Sequence, residues 1–149
     1  MPDPSDTDEP GHPVRYGWLK AMYGANVLIS GPIGAGALLA PEAFRSVMGL
    51  PPQDPVHLGL ASGAVPLAFG LAGLWGLGAP LRAAPVLLLQ ACYKLLFLGA
   101  AALPLALQGA FPAHAVPIVG IFVVFVAGNL IALPYAHLFG PSSSPAAPT

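Results

Sequence analysis

Charge is what this sequence has least of. Five basic and six acidic residues make up 7% of a 149-residue chain, with a formal net charge of −1. Soluble domains carry roughly 25% charged residues, so a water-soluble globular enzyme is excluded. Five basic residues also exclude a nucleic-acid-binding surface, which needs a dense positive field. Cysteine occurs once, at Cys92. That excludes an intramolecular disulfide framework and any cysteine-based metal cluster. There is no P-loop, no dinucleotide fingerprint after a strand, and no Ser, His and Asp arrangement suited to nucleophilic catalysis. No cofactor is expected, and soluble-enzyme chemistry is disfavoured.

What remains is oil. Hydrophobic residues account for 56% of the chain, and the 19 prolines and 18 glycines sit among apolar runs. Four such runs, 21–40, 58–77, 86–107 and 117–139, each approach the ~20 residues a helix needs to cross the hydrocarbon layer. Each is apolar on every side, unlike a surface helix. A helix satisfies its own backbone in lipid, and the ten-residue alternation of a membrane barrel is absent. The expected fold is all-α: a four-span antiparallel transmembrane helix bundle over residues 21–139, with the lipid bilayer as its partner.

Residues 1–20 place Asp3, Asp6, Asp8 and Glu9 among four prolines, and disorder is expected there and in 140–149. A cleaved signal is the alternative reading of the first run. Its acidic flank and its length favour a retained helix. Arg15, Lys20 and Arg82 fall on one side of the membrane and Arg45 on the other, which places both termini in the cytoplasm, in a bacterial inner membrane.

The first loop should hold a short interfacial helix. Pro41 suits a helix start, Phe44, Val47 and Met48 form one face, and Glu42, Arg45 and Ser46 form the other. Gly49 and Pro51-Pro52 end it. An ordered loop with one helical turn is the alternative. Gly59-x-x-x-Gly63 and the set Ala68, Ala72, Gly76 are expected to pack the second helix, and Gly24, Gly31, Gly34 and Gly36 the first. The same small faces would serve a homo-oligomer or a membrane partner.

Polar residues inside the runs are the candidates for function. Lys94 lies eight residues into the third run, roughly 12 Å deep, where a lysine costs at least ~2.5–3.5 kcal/mol. No Asp or Glu lies in any run to pair with it. Lys94 must snorkel, lose its proton or find neutral acceptors. Gln90 is one turn away on the same face; Asn129 and Asn26 fall at similar depth, and Tyr93 is adjacent. A polar cavity formed by Lys94, Gln90, Asn129, Asn26 and Tyr93 is therefore the expected ligand site. On the bland alternative, Lys94 reaches lipid phosphate while the amides join helices.

His57 and His114 fall near Glu42 and Asp54, but without the i, i+4 spacing of a helical ligand pair, so no metal site is expected. Trp18, Trp75, Tyr16, Tyr23 and Tyr135 read as an interfacial aromatic belt. Pro32, Pro66, Pro104 and Pro134 put a potential kink in or near the end of every span. Pro134 could open a carbonyl toward Lys94.

The stretch Pro85-Val-Leu-Leu-Leu-Gln90-Ala-Cys-Tyr93-Lys94-Leu-Leu-Phe97, followed by Leu103-Pro104, resembles the DoxX-like group of small bacterial membrane proteins. The likeness covers residues 20–139 in architecture and the third helix in motif. It implies a four-helix membrane fold with a short helix after the first span. Some DoxX-like proteins are tied to quinone or thiol redox chemistry. With one cysteine and no redox pair here, no activity is carried over. The expected function is binding of a small ligand, a quinone-like molecule or a lipid headgroup around Lys94. The alternatives are a membrane subunit of a redox complex, or a structural or assembly protein with no ligand site.

Overall fold

The structure, a computed structural model, describes residues 14–52, 54, 56 and 58–140. It contains four helices long and apolar enough to cross a membrane: α1 (Tyr16–Leu39), α3 (Leu58–Gly78), α4 (Ala84–Leu107) and α5 (Val116–Ala132), the last entered through a 3₁₀ turn at Ala113–Ala115. Among the described residues two short helices accompany them, α2 (Pro41–Val47) after the first span and α6 (Tyr135–Phe139) after the fourth. The bundle is all-helical, as expected, and the loop helix is present.

Two expected boundaries change. Residues 1–13 and 141–149 lie outside the described residues, but Tyr16–Lys20, assigned to the disordered head, forms the first turns of α1. Past Pro13 no proline interrupts the chain until Pro32, and Leu19 is completely buried. Burial of that side chain offsets the cost of ordering the segment. The fourth span stops at Ala132 instead of running to Phe139. Leu133 takes an extended ψ of 127° because the residue before a proline is driven out of the helical region.

The other three span prolines act differently. Segments with π-helical hydrogen bonding, Asn26–Ser30, Leu58–Ala64 and Leu98–Ala102, run up to Pro32, Pro66 and Pro104. A proline ring clashes with the carbonyl four residues back, here Leu28, Ser62 and Ala100, each inside such a segment. Widening the turn moves that carbonyl aside without breaking the span. Both short connections end tightly: Gly49 and Gly109 adopt φ of 63° and 65°. Each is followed by an amide that donates five residues back, Leu50 to Arg45 and Ala110 to Leu105, which closes the helix end in a Schellman motif.

Short second and third links lead one to expect α3 beside α4 and α4 beside α5. That holds for α4 with α5, whereas α3 touches α4 only sparsely and α1 packs on both α3 and α5. The closest seam joins α1 to α3. A Cβ at Gly70 would lie 2.6 Å from Gly31 Cα, and one at Gly34 would lie 2.6 Å from the Gly63 carbonyl oxygen. The packing face of α3 is thus Gly63, Gly70, Gly73 and Gly76. Gly63 and Gly76 were among the small residues expected on this face, whereas Ala68 is exposed and Gly59 makes only ordinary contact with Leu38. Outward positions are apolar and bare, with Leu28 76% and Leu107 79% exposed; such a surface requires lipid around it.

Candidate functional site

The five expected site residues divide into two groups. Asn26, Gln90 and Asn129 are essentially inaccessible and form one amide cluster across α1, α4 and α5. Gln90 Nε2 donates to Asn26 Oδ1, Asn26 Nδ2 donates back to Gln90 Oε1 at 3.2 Å, and Asn129 Nδ2 donates to the same Oε1 at 2.8 Å. Asn26 Nδ2 also donates to the Met22 carbonyl, and Asn129 Nδ2 to that of Leu87. Ser30, one turn beyond Asn26, donates its hydroxyl to Asn26 Oδ1 at 3.2 Å. One acceptor is left over: Asn129 Oδ1 is buried with no hydrogen-bond partner. In lipid these bonds are worth ~0.6 kcal/mol each on average. Their physical effect is to set the relative rotation of three helices.

Lys94 belongs to the other group. It begins ten residues after the start of α4, roughly 15 Å along the helix, and is only 3% exposed. Its ammonium therefore does not snorkel to either surface. Nor does it bond to the amides as expected; they pair with one another and with backbone carbonyls. Nζ donates instead to the Tyr93 hydroxyl at 3.2 Å and lies over three rings, 4.2 Å from the centroid of Phe122, 4.8 Å from Phe125 and 4.9 Å from Tyr93. Ring faces attract a cation electrostatically at these distances. Stacking of Tyr93 on Phe69, with centroids 5.5 Å apart, and its edge contact with Phe122 hold the rings in place.

Beside this ammonium is a cavity of about 130 Å³. Lys94, Tyr93 and Ser30 are on its wall, with Ile33 from α1, Ser62 from α3 and Ile118 from α5. Phe44, Met48 and Leu50 of the first loop also line it. Since α2 follows the far end of α1, the hollow runs from Lys94 toward the first-loop side of the bundle. The cavity was expected on the side of the N-terminus, with the amides around it. The amide cluster instead fills that side, and the space lies beyond it. The loop helix contributes directly, because Phe44 and Met48 face the cavity while Val47 turns outward at 85% exposure.

A second concavity, about 400 Å³, lies where the chain breaks at Leu133–Pro134 and is lined by Arg15, Tyr135 and His137. It contains none of the expected site residues. The carbonyl freed by Pro134, that of Leu130, accepts from the Tyr135 hydroxyl at 2.8 Å rather than from Lys94. Of the aromatic belt, Trp18, Trp75, Tyr16 and Tyr135 are about half exposed, but Tyr23 is fully buried and donates to the Pro80 carbonyl at 2.7 Å. It ties α1 to the loop after α3. His57 lies outside the described residues, and among the described residues no group of His, Cys, Asp and Glu could hold a metal.

Phe122, Phe125 and Ser30 were not anticipated. A phenylalanine in an apolar span carries no distinguishing signal. Ser30 did, standing i+4 from Asn26. The chain matches no family model, no curated protein and no solved structure.

Proposed function

We propose that this integral membrane protein binds a small, mostly apolar molecule that carries a hydrogen-bond acceptor, with the acceptor placed at Lys94 and Tyr93. The observation that carries this reading is the cavity. An amine in mid-span lines a partly open hollow whose other walls are mainly apolar, the usual make-up of a small-molecule site. At about 130 Å³ it is close to the ~150 Å³ that holds a benzene-sized guest. A quinone-like ring satisfies those limits, as does the polar end of a lipid. The amide cluster supports a structural role for Gln90, Asn129 and Asn26, so the ligand contacts are assigned to Lys94 and Tyr93. The resemblance of the third helix to DoxX-like proteins, the bacterial inner membrane and cytoplasmic termini belong to the same proposal. The basic-residue bias of Arg15, Lys20 and Arg82 supports the orientation.

The test is calorimetric titration of the detergent-solubilised chain with benzyl alcohol, benzamide, benzoate and a benzoquinone. Binding of at least one, abolished by the cavity-filling changes Ser62→Leu and Ile118→Phe, is the expected result. No binding by any of the four, or binding indifferent to both changes, refutes the reading.

A further inference from the structure

Three observations about Lys94 narrow the chemistry of the guest, given the binding reading above. First, its hydrogen bonds are incomplete. An ammonium has three donors, and among the described residues Nζ has one acceptor, the Tyr93 hydroxyl. At 3% exposure the other two cannot be supplied by bulk water. Second, in its protonated form it has no counterion within the bundle. α1, α3, α4 and α5 contain no Asp or Glu. Glu42 is engaged with Arg45 at 2.9 Å, and Asp54 lies in the first loop, where it accepts the Val56 amide. A cation held in low dielectric without a counterion is costly, and ring faces supply only partial negative charge. Third, the neighbouring hydroxyl is primed to help. Tyr93 accepts from Lys94, so its own proton is free to be donated.

We infer that the cavity selects a monocarboxylate with an apolar body of about ring size, one carboxylate oxygen on Lys94 Nζ and the other on the Tyr93 hydroxyl. A neutral acceptor would fill the hydrogen bonds and leave the charge; a carboxylate does both. The two donors stand 3.2 Å apart, so a single carboxylate meets both. The body then extends among Ile33, Phe44 and Ile118, and apart from Lys94 the lining holds the Ser30 and Ser62 hydroxyls but no charged group to meet a second charge, which disfavours dicarboxylates and zwitterions.

Titration of the full chain with benzoate, benzamide and benzyl alcohol at neutral pH tests this. The expected result is benzoate bound about tenfold or more tighter than benzamide, and loss of that preference in Lys94→Gln. Equal affinities, or a preference that survives Lys94→Gln, overturn it. Should that variant fail to fold, the infrared carboxylate stretch of isotope-labelled benzoate on the unaltered protein decides. A band shifted from that of benzoate in empty micelles upholds the inference, and an unshifted band overturns it. Equal binding of benzoate, benzamide and benzyl alcohol would leave the cavity a binding site without charge selection. No binding by any ligand would remove the site itself.

Discussion

Asn26→Leu and Asn129→Leu make the same chemical change at two fully buried positions of one cluster, yet the structure assigns them different outcomes. Asn26 exchanges two interhelical bonds with Gln90, worth ~1.2 kcal/mol together at ~0.6 each. Its loss also strands the Gln90 amide group, whose bond goes to Asn26 Oδ1, at about 1–3 kcal/mol. Asn26→Leu should therefore destabilise by roughly 2–4 kcal/mol. Asn129 gives up bonds to Gln90 Oε1 and the Leu87 carbonyl, again ~1.2 kcal/mol. Gln90 Oε1 keeps Asn26 as donor, however, and the buried unpaired Asn129 Oδ1 disappears, returning about 1–3 kcal/mol. Asn129→Leu should be neutral or stabilising by up to ~2 kcal/mol. Overpacking by leucine is common to both, so the difference between them is the informative quantity. Unfolding in mixed micelles with increasing SDS, followed by Trp18 and Trp75 fluorescence, measures it. Equal losses, or a larger loss for Asn129→Leu, would refute the reasoning and show that Oδ1 has a partner.

Gly70→Ala should cost about 1–3 kcal/mol in the same assay, because the new methyl meets the Gly31 backbone at 2.6 Å and neither helix can yield locally. Gly99→Ala, where nothing lies within 4 Å, should be neutral or stabilising by ~0.5–1 kcal/mol; equal losses would remove the α1–α3 seam from the account. Tyr135→Phe leaves the Leu130 carbonyl without its donor at the Pro134 break and should lower stability by about 0.6 kcal/mol, with no change in benzoate binding. Reporter fusions at either end should reveal cytoplasmic termini, and opposite locations for the two ends would contradict an even number of spans.

The elements most legible in the sequence were those governed by solvent preference. Four apolar runs had to become helices, since lipid offers the backbone no alternative partner. Gly49 and Pro51 had to stop the loop helix. Legibility weakened where the cause was non-local. Pro32, Pro66 and Pro104 were visible as kinks, but whether the helix breaks or widens depends on what packs beside the displaced carbonyl. Lys94, Gln90, Asn129 and Asn26 were recognisable as a buried polar set by depth alone. Depth is one coordinate; azimuth is another.

Residence in lipid, the number of crossings and a charge stranded in mid-span follow from composition and order, because transfer free energies add along a chain whatever its final packing. Which side chain meets which is a property of the assembled bundle. Pairing of Gln90 with Asn26 and Asn129, an ammonium seated on Phe122 and Phe125, and a hollow beneath Phe44 and Met48 all depend on how far each helix rotates about its axis. That rotation is chosen by close contacts such as Gly31 against Gly70, between residues 39 positions apart in the chain. No local pattern records them.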